Sequence, residues 1–280
     1  MRVDSHQHFW KYDVQRHAWI TDEMQRLKRD YLPPDLVPEL RANGMEGCIA
    51  VQADQSEQET EFLLDLANRY DLIKGVVGWV DLLSPGVSQR LRYYSQFKKL
   101  RGFRHVLQAE TDDGFMLRSE FCRGIEALKE FGFAYDILIY ARQLPATLEL
   151  VSRFPEQRFV IDHVAKPNIK RGELAPWAAQ MRSLADQSNV YCKVSGMVTE
   201  GDWHNWRAED FRPYLDVVFE SFGPERLMFG SDWPVCLLAG SYQQVKELIE
   251  TYVTRLPIAQ KKAIFGLNAV RFYGLESTSK

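Results

Sequence analysis

The sequence predicts an α/β fold, a single (β/α)₈ or TIM barrel, and three observations lead to that prediction. Eight apolar segments of strand length alternate with segments of helical period, the pattern of parallel strands joined by helical crossovers. The 280 residues match the usual size of such a barrel. No low-complexity segment, charge block or Pro/Gly/Ser-rich linker divides the chain. We therefore expect one domain over residues 1–280.

The predicted strands are short apolar runs, and several of them end in a titratable side chain. In chain order they are Arg2–Phe9, Gly47–Gln52, Ile73–Val80, Leu100–Val106, Phe133–Tyr140, Arg158–His163, Val190–Ser195 and Leu227–Ser231. In a barrel the carboxyl ends of all the strands meet at one rim, where catalytic residues lie. Titratable strand ends are therefore the first candidates for a functional site.

The helices between these strands carry their own start signals. Ser56 and Glu59 form a capping box ahead of an apolar helical face. Ser84-Pro85 indicates an N-cap followed by the first helical position, and Ser241 can cap a helix after the eighth strand. Further helical repeats follow the fourth strand, precede the eighth, and close the chain.

Two connections are longer than a barrel needs. They are Lys11–Leu32 and Gly196–Glu209, and the second contains the cluster Trp203-His204-Asn205-Trp206. Both follow strands, so we expect both at the catalytic end of the barrel. Long loops in that position often form lids or substrate walls.

Composition and charge argue against several classes of function. A net charge of −3 provides no basic surface for nucleic acid or for an anionic membrane. The four cysteines are scattered without a C-x-x-C pair, which argues against a disulfide scaffold or a thiolate zinc site. The first residues, Met-Arg-Val-Asp-Ser-His, contain no apolar h-region, and no segment approaches the roughly 20 apolar residues of a membrane span. We expect a cytoplasmic protein without nucleic-acid or membrane partners.

The sharpest local motif is Asp4-Ser5-His6-Gln7-His8 in the first strand. Residues two apart in a strand point to the same face, so we expect Asp4, His6 and His8 to project together into the barrel. Two neutral imidazoles at this spacing can chelate one divalent ion such as Zn²⁺. Two histidines that are merely hydrogen-bonded in the interior would produce the same pattern.

Two other strands end in an acid or a base. Asp232 follows the eighth strand, where it can bind a metal, take a proton from water, or cap a turn. His163 ends the sixth strand beside Asp162. Because strand ends converge at one rim, we expect Asp232 and His163 to lie near the paired histidines.

Cationic side chains supply the remaining candidates. Arg104 and His105 end the fourth strand and point to opposite faces, so only one of them enters the barrel directly. Either could polarise a substrate carbonyl. Lys193 lies inside an apolar strand, where burial of its charge favours an ion pair over a substrate contact. Lys166 is a further candidate for substrate contact.

Together these motifs resemble the amidohydrolase superfamily, whose barrels carry His-x-His on strand one and a catalytic Asp after strand eight. Here His6, His8 and Asp232 match that pattern. The similarity extends over nearly the whole chain, through Asp4–Trp10, Arg101–His105, Asp162–Pro167, Lys193–Gly196 and Gly230–Pro234. It is greatest to the branch of sugar-lactone and 2-pyrone-4,6-dicarboxylate hydrolases, and within it to L-fuconolactonase-type aldonolactonases.

The chain departs from the superfamily in one respect. Members with two metals use a carboxylated Lys or a Glu on strand four and a His on strand five. Here the fourth strand ends in Arg104-His105 and the predicted fifth strand contains no His. The resemblance therefore implies one divalent metal, with Zn²⁺ the first candidate, on His6, His8 and Asp232. The branch also includes members that work without a metal.

The resemblance implies that a sugar lactone is opened to its aldonic acid. Asp232 would take a proton from the attacking water and deliver it to the departing ring oxygen. His163, with Arg104 or His105, would face the negative charge that develops on the carbonyl oxygen. The candidate substrate contacts are Lys166, Trp79, Trp203 and Trp233.

Other functions are compatible with the same fold. A metal-dependent decarboxylase of an aromatic or muconate-type acid would need a fuller ligand set. A non-sugar lactone, such as a pyrone dicarboxylate or muconolactone, is an alternative substrate. A non-catalytic sugar-binding barrel would not need converging acids and bases. Nucleotide-binding G-x-G-x-x-G and nucleophile G-x-S-x-G motifs do not occur, and a homo-oligomer remains open.

Overall fold

The computed structural model describes residues 1–275 and contains a parallel sheet of eight strands in sequential order. The strands are β1 (Val3–Gln7), β2 (Gly47–Val51), β3 (Ile73–Gly78), β4 (Leu100–His105), β5 (Ala134–Ile137), β6 (Phe159–Ile161), β7 (Val190–Val194) and β8 (Leu227–Phe229). The Asp232 N–H donates to the His6 carbonyl at 2.8 Å, and the His8 N–H donates to the Trp233 carbonyl at 2.7 Å. These bonds bring the end of β8 back to β1. The nearly closed barrel confirms the predicted eight strands and the (β/α)₈ fold.

Helices occupy the connections between the strands and follow the last one. They are α1 (Pro33–Ala42), α2 (Glu57–Arg69), α3 (Val87–Tyr94), α4 (Ser119–Glu130), α5 (Leu144–Arg153), α6 (Trp177–Ala185), α7 (Met197–Glu200), α8 (Ala208–Phe222), α9 (Tyr242–Tyr252), α10 (Ile258–Lys262) and α11 (Asn268–Tyr273). The predicted caps Ser56 and Ser241 each accept a backbone N–H from the first turn of their helix, at 3.2 and 3.1 Å. The Ser84 prediction is wrong, because α3 begins two residues after Pro85 and Ser84 belongs to the preceding turn.

Apolar side chains pack in two layers around the sheet. A larger cluster lies between the strands and the surrounding helices. A smaller inner cluster combines strand residues with α11, and its strand members are Val3, Ile49, Val51, Val77, Ala134, Val160 and Met228. The polar residues of the candidate site come after these positions along their strands. The smaller inner cluster therefore fills the barrel on one side of the candidate site.

Strand β1 is irregular, and this changes one prediction. The pairing of β1 with β2 shifts register between Asp4 and Gln7, which is a β-bulge. The Asp4 carboxylate accepts the Ser231 N–H at 2.9 Å and the hydroxyl of Tyr242, on α9, at 3.0 Å. The expectation that Asp4 projects into the barrel with His6 and His8 is therefore wrong. Asp4 instead joins β1, the segment after β8 and α9, and burial raises its pKa to about 6.

The two long connections are both held at the carboxyl end of the strands. Trp10 and Tyr31 exchange two backbone hydrogen bonds of 2.9 Å at the base of the Lys11–Leu32 connection. In the Gly196–Glu209 connection, the Trp206 indole donates to the Ala239 carbonyl at 2.7 Å.

None of the helices in the described part of the chain combines the length and the apolar character of a membrane span.

The first turn of α2 contains a buried carboxyl group, and we expect it to make stability depend on pH. Glu59 is 6% exposed and accepts the Ala53 N–H at 3.1 Å. Burial raises its pKa from 4.5 to about 7. The stabilising contribution of the neutral acid is therefore complete below pH 4.5 and is lost as the pH rises through 7.

We expect Glu59→Gln to stabilise the protein relative to wild type at pH 8 by about 2–3 kcal/mol, because glutamine keeps the acceptor without an ionisation cost. Urea unfolding of both proteins at pH 5 and pH 8 measures the difference. Glu61→Gln, at an exposed position of the same helix, is the control and should show no such pH-dependent gain. Equal stability of wild type and Glu59→Gln at pH 8 would contradict the prediction.

Candidate active site

Two imidazoles from β1 and the residues after it meet inside the barrel. The Nε2 atoms of His6 and His8 are 3.2 Å apart, and both side chains are buried. His8 Nδ1 lies 2.7 Å from the Val51 carbonyl, so Nδ1 carries the proton and Nε2 is left with a lone pair. His6 Nε2 also lies 3.3 Å from an Arg104 terminal nitrogen, and His6 Nδ1 lies 3.1 Å from Lys193 Nζ. The His8 Nε2 lone pair thus faces His6 Nε2, which can donate a hydrogen bond to it or share a metal ion with it.

The Asp232 carboxylate completes this group. Its Oδ1 lies 3.4 Å from His8 Nε2 and 3.9 Å from the Nε2 atoms of both His6 and His163. Asp232 has a left-handed backbone, with φ of 56°, which turns the chain at the end of β8. Burial opposes ionisation of Asp232, but the surrounding imidazoles favour the anion more strongly and hold its pKa below the ordinary value. Asp232 is therefore a buried anion beside three imidazoles.

The His163 side chain stands on a strained turn after β6. Four consecutive residues, His163–Lys166, have φ between 47° and 59° without a glycine among them. Each such residue costs about 1–2 kcal/mol, and the turn is held partly by the Trp177 indole, which donates to the Val164 carbonyl at 2.8 Å. His163 Nδ1 lies 2.9 Å from the Ser195 hydroxyl, and burial lowers the His163 pKa to about 4. Strain of this kind concentrates at functional sites.

Gly196 leaves the space that the His163 ring occupies, and this yields a prediction. A Cβ at Gly196 would lie 2.4 Å from His163 Nδ1. We expect Gly196→Ala to lower kcat about 100-fold, because a shift of about 1 Å in a reacting group has that effect. Steady-state kinetics measure it.

Gly172→Ala is the matched control for this variant. Gly172 also has a positive φ, of 67°, but its added Cβ would meet nothing within 4 Å. It carries the same kind of backbone strain without touching His163. Equal kcat values for the two alanine variants would contradict the prediction.

Because side chains alternate along β4, only one of Arg104 and His105 points into the barrel. Arg104 points into the barrel, where Nη1 donates to Asp162 at 3.0 Å and Nη2 donates to the Gln52 carbonyl. His105 faces the surrounding helices, with its Nε2 2.8 Å from Glu110 and its ring 5.2 Å from that of Phe115. The structure therefore does not bring His105 to the other predicted site residues.

A cluster of buried charged side chains lies next to the imidazoles. Lys193 Nζ lies 2.5 Å from Asp136 and 3.0 Å from Asp162, and all three side chains are fully buried. The second oxygen of Asp162 accepts from Arg104. His6 Nδ1 lies 3.3 Å from Asp162, which joins this cluster to the histidine pair. The favoured interpretation of Lys193 as a buried ion-pair partner agrees with these contacts.

Asp136 and Asp162 were absent from the predicted site residues. Burial opposes ionisation of Asp162, but Lys193 and His6 outweigh it, so its pKa lies well below the ordinary value. Burial raises the pKa of Asp136 to about 6, against the opposing effect of Lys193. The signal that could have found Asp136 is the one that identified Lys193, a charged residue inside an apolar strand.

The aromatic candidates occupy different surroundings. Trp233 is 2% exposed, and its ring packs 6.2 Å from Phe9 and 5.2 Å from Tyr31, so it belongs to the core and the structure does not present it to a substrate. Trp203 is half-buried in the connection after β7, where its indole donates to the Thr199 carbonyl at 2.8 Å.

Trp79 and Lys166 remain candidates for substrate contact. A Cβ at Gly78 would strike Thr60 on α2, so strand alternation turns the next side chain, Trp79, toward the barrel. The Trp79 indole N–H is buried without a hydrogen-bond partner among the described residues. Lys166 Nζ lies 3.7 Å from Glu200 and 5.6 Å from the Tyr140 ring centre, at the rim of the site.

The group of His6, His8 and Asp232 fits a divalent metal. Around a tetrahedral ion with Zn–N bonds of about 2.0–2.1 Å, neighbouring ligand atoms lie about 3.3 Å apart. His6 and His8 are 3.2 Å apart here, His8 and Asp232 are 3.4 Å apart, and His6 and Asp232 are 3.9 Å apart. Two nitrogens and a carboxylate oxygen suit Zn²⁺ and similar ions. Three protein ligands leave a coordination position for water or substrate.

The barrel has eight strands, one imidazole on β1, a second just after it, and a carboxylate after β8. These features define a class of barrel proteins able to hold one divalent metal at the carboxyl rim. The chain belongs to the amidohydrolase family, whose profile matches residues 3–275. This confirms the resemblance inferred from the motifs.

Within this family, the known proteins similar to this chain include two lactonases and a solved structure with bound zinc. The chain is 44% identical to an L-fucono-1,5-lactonase of Burkholderia multivorans, covering 98% of this chain and 96% of that one. It is 36% identical to an L-fucono-1,5-lactonase of Burkholderia ambifaria, covering 99% and 97%. A solved structure of a B. multivorans amidohydrolase with bound zinc superposes with a TM-score of 0.95 at 44% identity, covering 99% of this chain and 100% of that one.

Proposed function

We propose that this protein hydrolyses a sugar lactone to its aldonic acid, with L-fucono-1,5-lactone as the first candidate substrate. The observation that supports it best is the Asp232 carboxylate, buried within 3.9 Å of three imidazole nitrogens. Two relatives named as L-fucono-1,5-lactonases, similar over nearly their full length, support the choice of substrate. Neither the decarboxylase nor a non-catalytic barrel receives comparable support.

In this proposal Asp232 is the general base. An ionised carboxylate can accept a proton from a water molecule as its oxygen attacks the lactone carbonyl. The proton then passes from Asp232 to the ring oxygen as the carbon–oxygen bond breaks, which leaves the open-chain acid and restores the carboxylate. A lactone is an activated ester, so one base and modest help at the carbonyl suffice.

We assign His163 the role of stabilising the negative charge that develops on the carbonyl oxygen. If Ser195 donates its hydroxyl to Nδ1 at 2.9 Å, Nε2 carries the proton and can donate to the developing oxyanion. A histidine with a pKa of about 4 is neutral at neutral pH, so it donates a hydrogen bond without bringing a charge. Arg104 contributes through its charge, because both of its terminal nitrogens are bonded to Asp162 and Gln52.

His6, His8 and Asp232 would hold the metal, for which we propose zinc. When bound there, the ion supplies Lewis acidity toward the carbonyl oxygen or the attacking water. His8 is oriented for this role by the Val51 carbonyl, as ligand histidines usually are by their second nitrogen, and the second nitrogen of His6 faces Lys193 and Asp162. The same neutral imidazoles would line the carbonyl side of the site in the absence of the ion.

Lys166, Trp79 and Trp203 are the side chains that we propose for substrate binding. Lys166 follows His163 at the end of the strained turn, and an ammonium group suits the hydroxyls or the carbonyl of a sugar lactone. The indoles offer flat apolar surfaces of the kind that pack on a sugar ring. Trp233 would act only by supporting the backbone that carries Asp232.

A pH-indicator assay across aldonolactones tests this function. We expect acid release above the spontaneous rate from a six-carbon sugar lactone, measured on fucono-, rhamnono- and galactonolactones. Each is assayed with and without chelator, and zinc re-addition should restore whatever activity the chelator removes. The Asp232→Asn protein supplies the background rate. Turnover of only pyrone dicarboxylates or muconolactones would show the sugar assignment to be wrong.

A further inference from the structure

We propose that Glu200 and Lys166 form a donor–acceptor pair that binds adjacent ring hydroxyls of the lactone and so selects a neutral, hydroxylated substrate. The inference rests on the proposed lactone hydrolysis and specifies the kind of lactone that the same site accepts. It adds Glu200 to the site, and it assigns Lys166 to the hydroxyls rather than to the carbonyl.

Helix α7 brings Glu200 to the rim of the site. The helix begins after Gly196, whose missing side chain leaves room for the His163 ring. It also packs against the segment Val235–Leu238, which follows Asp232. Glu200 is the last residue of this single-turn helix, so its position is set by the two chain segments that carry His163 and Asp232.

The backbone that carries Glu200 is well anchored. Met197 and Val198, the first two residues of α7, are buried. The Trp203 indole donates to the Thr199 carbonyl at 2.8 Å. A carboxylate on a backbone held in this way loses little freedom when it binds a ligand.

Lys166 and Glu200 are paired by charge but keep their hydrogen-bonding groups available. Lys166 Nζ lies 3.7 Å from Glu200 Oε1, too far for an ordinary hydrogen bond, and the two side chains are 18% and 21% exposed. Within residues 1–275 neither group has a second salt-bridge partner. The ammonium therefore has N–H donors, and the carboxylate has lone pairs, that a ligand can use.

The ionisation of Glu200 reflects its closeness to the site. Burial raises the pKa of its carboxyl group, Lys166 opposes the rise, and the Asp232 anion adds to it. Glu200 is thus close enough to Asp232 to respond to its charge. The Lys166 ammonium favours the ionised form of Glu200 and is in turn neutralised by it.

The charge of Glu200 indicates which part of the substrate faces the pair. Negative charge develops on the carbonyl oxygen during hydrolysis, and a second carboxylate beside that oxygen would oppose it. Hydroxyl groups suit the pair better, because each can donate to the carboxylate and accept from the ammonium. Two hydroxyls on neighbouring ring carbons would engage Glu200 and Lys166 together.

The same charge disfavours lactones that carry carboxylates. A pyrone dicarboxylate would bring negative charge to a partly buried anion, where repulsion is only weakly screened. Glu200 would therefore contribute to specificity in two ways, by binding hydroxyls and by repelling anions.

A binding measurement that requires no turnover tests the inference first. The probe is L-fucono-1,5-lactam, a neutral analogue whose ring amide resists hydrolysis, and isothermal titration measures its affinity. Glu200→Gln is expected to weaken binding about 10-fold, because a hydrogen bond to a charged group is stronger than one to a neutral amide. Glu209→Gln, at an exposed position in the same connection, is the control and should bind like wild type.

Equal affinity of wild type and Glu200→Gln for the lactam would overturn the inference. Failure of the proposed function would be visible separately, as the absence of lactone turnover by wild type in the pH-indicator assay.

Kinetics distinguish hydroxyl binding from an effect on the reacting atoms. For the sugar lactone, Glu200→Gln is expected to lower kcat/KM about 10-fold, mainly through KM, as loss of uniform binding does. For δ-valerolactone, which has no ring hydroxyls, kcat/KM should be unchanged. An equal loss on both lactones would show that Glu200 acts at the carbonyl instead.

Two further comparisons test the charge and the pairing. Glu200→Gln should bind 2-pyrone-4,6-dicarboxylate more tightly than wild type does, and unchanged binding would contradict the repulsion. Lys166→Met should weaken lactam binding as well, and the double variant should lose less than the two single losses combined, because the two groups act together. Fully additive losses would show that the two residues bind the ligand independently.

Discussion

Asp232→Asn is expected to lower kcat for lactone hydrolysis by about 10³–10⁴-fold, near the upper end for loss of a general base. Asparagine fills the same volume but cannot accept a proton from water at neutral pH. The substitution also removes the negative charge among His6, His8 and His163, and with it one of the proposed metal ligands. Steady-state kinetics on the preferred lactone, at saturating zinc, measure the loss.

The control for this variant is Asp65→Asn, an exposed aspartate paired with Arg69 on α2. It should keep wild-type kcat, because it lies on the helix surface. Circular dichroism and thermal unfolding should show that Asp232→Asn retains the fold. A kcat within a few fold of wild type would discard the assignment of Asp232 as the base.

Lys193→Met is expected to lower the free energy of unfolding by about 3–5 kcal/mol, the usual cost of removing one partner from a buried ion pair. The lysine is fully buried between Asp136 and Asp162, at 2.5 and 3.0 Å. Without it, two carboxylates remain close together with one cation, Arg104, beside them. Urea unfolding at pH 7 measures the change.

A double variant separates lost packing from unpaired charge. Lys193→Met combined with Asp136→Asn removes one charge of each sign, and the Tyr273 hydroxyl can still donate to the asparagine oxygen. We expect the double variant to be more stable than Lys193→Met alone. A loss of less than 1 kcal/mol in the single variant, or further destabilisation in the double one, would show that electrostatics is not the main cause.

Much of the fold could be predicted because its signals are local. Strand-length apolar runs separated by helical repeats identify all eight strands to within a few residues at each end. The rim of the barrel also follows from topology, since parallel strands end together wherever the sheet closes. This reasoning predicted that His6, His8, His163 and Asp232 would lie together, and the structure places each of the three imidazoles within 4 Å of the Asp232 carboxylate. Their catalytic roles remain predictions.

Other parts of the site depended on geometry that periodicity does not contain. Regular alternation of side chains along β1 wrongly predicted that Asp4 points into the barrel with His6. The bulge between Asp4 and Gln7 breaks that alternation, and it is an irregularity of the pairing with β2. Alternation alone left Arg104 and His105 equivalent until their contacts distinguished the two faces. Trp233 is core because Phe9 and Tyr31 cover it, and both belong to a distant part of the chain.

The sequence by itself determined the barrel, the family and the acids and bases at its rim, since these depend on residue type and on the order of elements along the chain. Only the tertiary structure decided which charges share the interior. Asp136, Asp162 and Lys193 come from three different strands, and a buried ion pair depends on distances between strands that spacing along one strand does not specify.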